Sequence, residues 1–139
     1  MASCNNITIN SQSDPSTASN CTVIHGELEI TLNASIAGPI EIPNVKTFQG
    51  SVFILGNSPD DPANITSFSM PSVENMTDSG GGGGIGFHYV DKLTAVSLPK
   101  LKYVDGFNIR NGNGPTINIS LPALETVSGI LDIEGNIDV

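Results

Sequence analysis

The chain has no tryptophan, two cysteines and five basic residues, and charged residues make up only 14% of its 139 positions. Each shortage excludes something. Five Lys and Arg stand against fourteen Asp and Glu, for a formal net charge of -9. No basic stripe can therefore neutralise phosphates, and nucleic acid is not an expected partner. The same acidity disfavours anionic membrane surfaces, and no apolar run approaches the roughly 18 residues of a membrane span. Cys4 and Cys21 lack the C-x-x-C spacing of a redox or zinc motif. A bond between them would close a loop worth about 3 kcal/mol by chain entropy, and a structural disulfide is expected, with two buried free thiols as the alternative. With so little charge and 38% hydrophobic residues, a single domain with a true core must be covered mainly by Ser, Thr, Asn and Gly.

Asparagine is what the sequence has in excess. Fourteen Asn and 25 Ser plus Thr would produce about two or three N-x-S/T triplets by chance. Six are present, at Asn6, Asn20, Asn33, Asn64, Asn75 and Asn118. Such a density points to a secreted, N-glycosylated chain; mere abundance of these residue types is the alternative. The opening Met1-Ala2-Ser3-Cys4 carries no apolar leader core, so a leader is expected to have been removed or the chain trimmed.

A repeat organises the rest. Ile40-Glu41-Ile42-Pro43, Phe68-Ser69-Met70-Pro71, Val96-Ser97-Leu98-Pro99 and Ile119-Ser120-Leu121-Pro122 share one phrase, apolar-polar-apolar-Pro. Two residues after each Pro stands Val45, Val73, Leu101 or Leu124, and three further on Phe48, Met76, Val104 or Val127. A glycine follows at Gly50, Gly106 and Gly129, after which alternation resumes, as it does after Gly26. The unit is G-x-L-x-I, a polar turn, then I-x-L-P-x-L-x-x-V-x-G, with a period of about 22 to 28 residues.

Period-two alternation means short strands with one buried face. Two such strands per repeat cannot bury their apolar sides alone, but stacked repeats can. Pro ends a strand because it cannot donate to a ladder, and Gly relieves the next corner. The expected fold is all-β: a right-handed parallel β-solenoid, or β-helix, of about five coils. Leu28, Val52, Phe107 and Leu131 would form one column, and Ile42, Met70, Leu98 and Leu121 another. A helical leucine-rich repeat needs an amphipathic helix that no segment offers, and a β-sandwich would pair strands as hairpins. Residues 1–25 are expected to form an N-terminal cap, with Ile7 and Ile9 in a first strand stapled by the cysteines; residues 26–139 form the repeats. Ile137-Asp138-Val139 opens another phrase and stops, so a fragment of a longer protein, or an open end stacking on a neighbour, is expected.

The phrase I-x-L-P-x-L-x-x-V-x-G-x-L-x-I, together with the N-terminal Cys pair, resembles the fungal GPI-anchored cell-wall organisation proteins, whose repeats are similar to receptor L domains. The resemblance runs from Cys4-Asn5-Asn6-Ile7 to Gly129-Ile130-Leu131-Asp132. It implies an L-domain type of solenoid, a cell-wall or cell-surface location, GPI anchoring of the full-length protein, and a role in wall integrity. The implied partners are wall polysaccharide or other wall glycoproteins.

Catalysis finds little support. His25 and His88 have no partnered nucleophile and no metal-ligand spacing. Inverting hydrolysis needs paired carboxylates across a groove; Asp60-Asp61, the adjacent pair, lies between prolines and reads as a turn. Glu27, Glu29, Glu41, Asp132 and Glu134 alternate with apolar residues and are expected to face solvent. No D-x-D-x-D-G loop supports calcium. No catalytic residue, cofactor or metal is therefore expected. Asn118 and Asn6 should point outward, and Asn33 and Asn75 should fall in turns; Asn20 adjoins Cys21. Gly80 to Gly84 are five consecutive glycines, and Gly81, Gly83 and Gly86 match G-x-G-x-x-G, but a dinucleotide site needs a helix after it. Residues 77–86 are instead expected to be a loop inserted into one coil. The function expected is structural scaffolding by a non-enzymatic surface glycoprotein. The alternatives are a self-associating fibre subunit and a carbohydrate-binding or carbohydrate-active β-helix.

Overall fold

A computed structural model describes residues 2–9, 21–30, 38–55, 64–77, 84–110, 115–135 and 137–138. Among these residues there is no helix, and every strand pairing is parallel. One sheet stacks β1 (Ala2–Ile9), β2 (Cys21–Ile30) and β4 (Thr47–Leu55). It continues with β6 (Asn75–Met76) and β7 (Gly84–His88), then β9 (Tyr103–Val104) and β10 (Gly106–Arg110), then β12 (Thr126–Val127) and β13 (Leu131–Glu134). The other stacks β3 (Gly38–Glu41), β5 (Ile65–Ser69), β8 (Ala95–Ser97), β11 (Ile117–Ser120) and β14 (Ile137–Asp138). The chain alternates between the sheets and makes about four turns between β2 and β13, the parallel solenoid that the repeat phrase predicts.

The expected columns are present, although Leu121, at the end of the second, is only partly buried. Leu28 pairs with Val52, Val52 with Ile85, Ile85 with Phe107 and Phe107 with Leu131. Ile24, Phe48, Met76 and Val104 form a second inward row of this sheet, each at most 1% exposed. On the opposite sheet Ile40, Phe68, Val96 and Ile119 stack in register, and Ile42, Met70 and Leu98 lie two residues beyond, fully buried. The two sheets meet edge to face where the Phe68 and Phe87 rings lie 5.4 Å apart, a favoured aromatic geometry. The first column ends in Leu131, 61% exposed, beside Ile130 at 72%.

The prolines turn the chain as expected. The Leu101 amide donates to the Leu98 carbonyl and the Leu124 amide to that of Leu121, each at 3.2 Å. Pro99 and Pro122 thus occupy the second position of a β-turn, where the fixed proline φ fits. After Pro43 the third position is Asn44, with φ 75°, a value Asn tolerates better than most residues.

The glycine corner differs from expectation. Gly26 and Gly50 lie inside β2 and β4, so both arms of the bend belong to one sheet. Gly26, at φ +94°, bends the strand while keeping its register with β4, although the register with β1 shifts between Asn5 and Ile7, and a Cβ on Gly50 would collide with the Gly26 carbonyl oxygen. Close approach of successive levels, rather than a change of sheet, is what demands glycine there. The next level shows the insertion. β6 pairs with Thr47 and Phe48, and β7 with Ser51 to Leu55, so the two are halves of one interrupted strand. The expected loop boundary of 77–86 is too wide, because Gly84, Ile85 and Gly86 already belong to β7. Gly86 sits under the Phe53 ring, which a Cβ would approach to 3.0 Å. Residues 78–83 lie outside those described.

At the N-terminal end Cys4 and Cys21 are disulfide-bonded, their Cα atoms 5.9 Å apart. β1 lies on β2 as the expected cap, although β2 itself crosses the expected boundary at residue 25. Cys21 is buried at 1% exposure, so the bond fastens the cap to the core.

Two stability outcomes follow. Phe87→Ala should lower the unfolding free energy by about 3–5 kcal/mol in urea titrations, whereas the exposed Gln49→Ala should stay within about 0.5 kcal/mol. Replacing both cysteines by serine should cost about 3 kcal/mol by the same measurement; an unchanged midpoint would remove the cap's stabilising role.

Candidate functional site

Strand parity and parallel register together arrange the outward side chains in rows running along the solenoid axis, about 4.8 Å apart from level to level. Where the inward row is Ile24, Phe48, Met76 and Val104, the adjacent outward row is Val23, Thr47, Asn75, Tyr103 and Thr126. On the other sheet Glu41, Ser69, Ser97 and Ser120 form one outward row, and Asn118 stands on Ala95 in the next.

Four of the six sequon asparagines are described; Asn6 and Asn118 are exposed, and Asn64 and Asn75 are half-buried. Asn6 is exposed on β1, and its Oδ1 accepts the Glu27 amide N–H at 2.9 Å. Asn64 is half-buried just before β5, and its Oδ1 accepts from Lys92 Nζ at 2.6 Å. In both, a donor one level on engages the oxygen rather than Nδ2, the nitrogen to which a glycan attaches. Asn75 is half-buried and corrects its expectation: it lies in β6, between Thr47 and Tyr103, rather than in a turn. The reason is that β6 and β7 complete one strand around the insertion. Asn118 and Ser120 are exposed while Ile117 and Ile119 are buried, as expected. Asn20 and Asn33 lie outside the described residues.

Apart from Asp105, the described carboxylates lie on the outer surface. Glu27, Glu41 and Glu134 are exposed, and Asp132 is half-buried. Arg110 donates to Asp132 Oδ2 at 2.9 Å and lies 3.8 Å from Glu134. The hydrogen bond to Asp132, then the charges of Glu134 and Asp132, raise the Arg110 pKa above its ordinary value. His25 and His88 are half-buried, 63 positions apart in sequence on β2 and β7. Asp60 and Asp61 lie outside the described residues, as does the Glu29 side chain. Among the described residues no three His, Cys, Asp or Glu side chains gather as a metal site, and no helix is long and apolar enough to cross a membrane.

Three features had no signal in the linear pattern. The Arg110–Asp132 pair joins adjacent outward rows of β10 and β13. Asp105, 8% exposed, accepts a 2.7 Å hydrogen bond from Ser128 Oγ in the bend one level on. Asn108 Oδ1 is buried between levels with no hydrogen-bond partner. Each depends on neighbours more than twenty residues away, which only the register brings together.

No family model matches the chain, and no solved structure does. It is 33% identical over 90 residues to Protein ecm33 of Aspergillus fumigatus, across 65% of this chain and 19% of that protein. The chain thus spans about a fifth of the length of the curated relative it matches. This distant, partial similarity supports the fungal cell-wall family to which the repeat phrase and Cys pair point.

Proposed function

We propose that this chain is a secreted or surface-exposed N-glycosylated scaffold of the fungal cell wall, non-enzymatic, contributing to wall organisation and integrity. The observation that carries the reading is the placement of the sequons. Asn6, Asn64, Asn75 and Asn118 all stand at the surface of a stack whose core they do not interrupt. Similarity to Protein ecm33 supports the cell-wall setting. A solenoid of this kind acts architecturally: its rows are rigid because each level is hydrogen-bonded to its neighbours, and binding energy then need not be used to order them. The partners that fit a hydroxyl-rich surface with a net negative charge are wall polysaccharide and other wall glycoproteins. GPI anchoring of the full-length protein belongs to the same proposal.

Secretion from a eukaryotic host provides the test. The intact mass should fall after peptide-N-glycosidase treatment, with deamidation at several of the six asparagines; an unchanged mass would refute the glycoprotein reading. The same material, incubated with insoluble wall glucan, should release no oligosaccharide. Release that is lost in Asp60→Asn/Asp61→Asn would overturn the non-enzymatic assignment.

A further inference from the structure

We infer that Tyr103 is the platform on which the first sugar of an Asn75-linked glycan rests, making the two residues a single carbohydrate-holding site. This rests on the glycoprotein reading above and extends it to a particular geometry. Asn75 and Tyr103 are direct partners on the neighbouring strands β6 and β9, and parallel neighbours lie about 4.8 Å apart. Both alternate with a buried residue, Met76 and Val104, so their side chains leave the sheet on the same outer face.

The exposure of Tyr103 is what needs a reason. It is one of two tyrosines and is 42% exposed, while its row neighbours Thr47, Asn75 and Thr126 are all short. The ring is thus open to solvent, on a residue one level from Asn75. An N-acetylglucosamine attached at Asn75 Nδ2 presents ring C–H bonds on one face, and such polarised hydrogens pack against the negative face of an aromatic ring. The contact needs no charge, which suits a neutral sugar. On the other side of Asn75, Thr47 leaves room and offers no competing platform. The sequon threonine, Thr77, follows on the same strand path, its amide donating to the Phe48 carbonyl at 2.9 Å. Acceptor and platform are thus both fixed by backbone ladders. Asn118 has no such neighbour, being paired with Ala95 and Asp138.

The test is a double-mutant cycle on secreted protein trimmed by endoglycosidase to a single N-acetylglucosamine at each occupied site. Wild type, Tyr103→Ala, Asn75→Gln and the double variant are compared by urea unfolding, after glycopeptide mass spectrometry has measured occupancy at Asn75. Tyr103→Ala should reduce the folding equilibrium constant about three- to tenfold more when Asn75 carries the sugar than in the Asn75→Gln background. Tyr103→Phe should retain the coupling, because the ring and not the hydroxyl makes the contact. Nuclear magnetic resonance should show the sugar ring protons shifted upfield by the Tyr103 ring current, and the shift should vanish in Tyr103→Ala. Equal losses in both backgrounds, without an upfield shift, would overturn the platform while leaving glycosylation standing. Absence of any glycan at Asn75 would overturn the site itself; glycans confined to the other asparagines would leave the general reading intact.

Discussion

Everything in this structure depends on one constraint: no level can bury its apolar residues without the level beside it. β8 has three residues, β11 four and β5 five, too short to be stable alone. Parallel in-register stacking resolves this by giving each inner strand a partner on both edges. Between β2 and β4 the register runs unbroken from Val23–Thr47 to Ile30–Ile54. A slip of one residue would send every buried side chain to the solvent face, so the hydrophobic rows fix the register as firmly as the hydrogen bonds do.

The same constraint dictates what the surface can do. Because outward residues also stack, the chemistry of any position is set by the residue one level away. The stretch after the Pro turn illustrates this. Glu74 donates its amide to the Lys46 carbonyl, Lys102 to Glu74, and Glu125 to Lys102. Charge therefore alternates in sign from level to level along the axis. Like charges repeated at about 4–5 Å would repel by roughly 1 kcal/mol per pair even in water, and the alternation avoids that while retaining solubility. Elsewhere the rows use small hydroxyl side chains, as at Ser69, Ser97 and Ser120. What a repeat of this kind cannot easily build is a deep pocket, since its interior is filled by its own rows; among the described residues, the register shifts within paired strands at Ala2/Ser3 and Asn5/Ile7 of β1 and at Gly38/Pro39 of β3.

Much of this was legible in the sequence because the repeat phrase encodes it directly. The Pro marks the turn, the apolar residues one before and two after it are core in the first three copies, and the spacing from Val104 to Phe107 gives a level one residue shorter than that from Phe48 to Val52. The function of the glycines was less legible. Composition suggests a corner at Gly26 and Gly50, but whether a bend changes sheet depends on whether its two arms keep the same neighbours, and that is a property of the stack. Asn75 was misplaced for the same reason: beside an insertion it resembles a turn residue, yet its pairing with Thr47 and Tyr103 makes it part of a strand. Tyr103 drew no notice in the linear pattern, because its significance lies 28 positions away.

Position along the stack also decides how firmly a site is held. Val104 and Phe107 are each 1% exposed, whereas Val127, in the corresponding place one level on, is only partly buried and Leu131 is 61% exposed. In a quasi-one-dimensional array the stability of a level is the sum of its own folding term and the interfaces on either side. A level packed on both sides is therefore fixed more tightly than one packed on one side, although their sequences match. Asn75 belongs to the first kind: β4 lies on one side of β6, β9 on the other, and Met76 beneath it is fully buried. A sugar held there would meet a ring whose backbone is itself clamped between β6 and β12. Geometry that a flexible loop would have to acquire on contact is thus already present. On the proposed reading, two outward residues from successive levels would then orient a sugar without any need for an enclosing cavity.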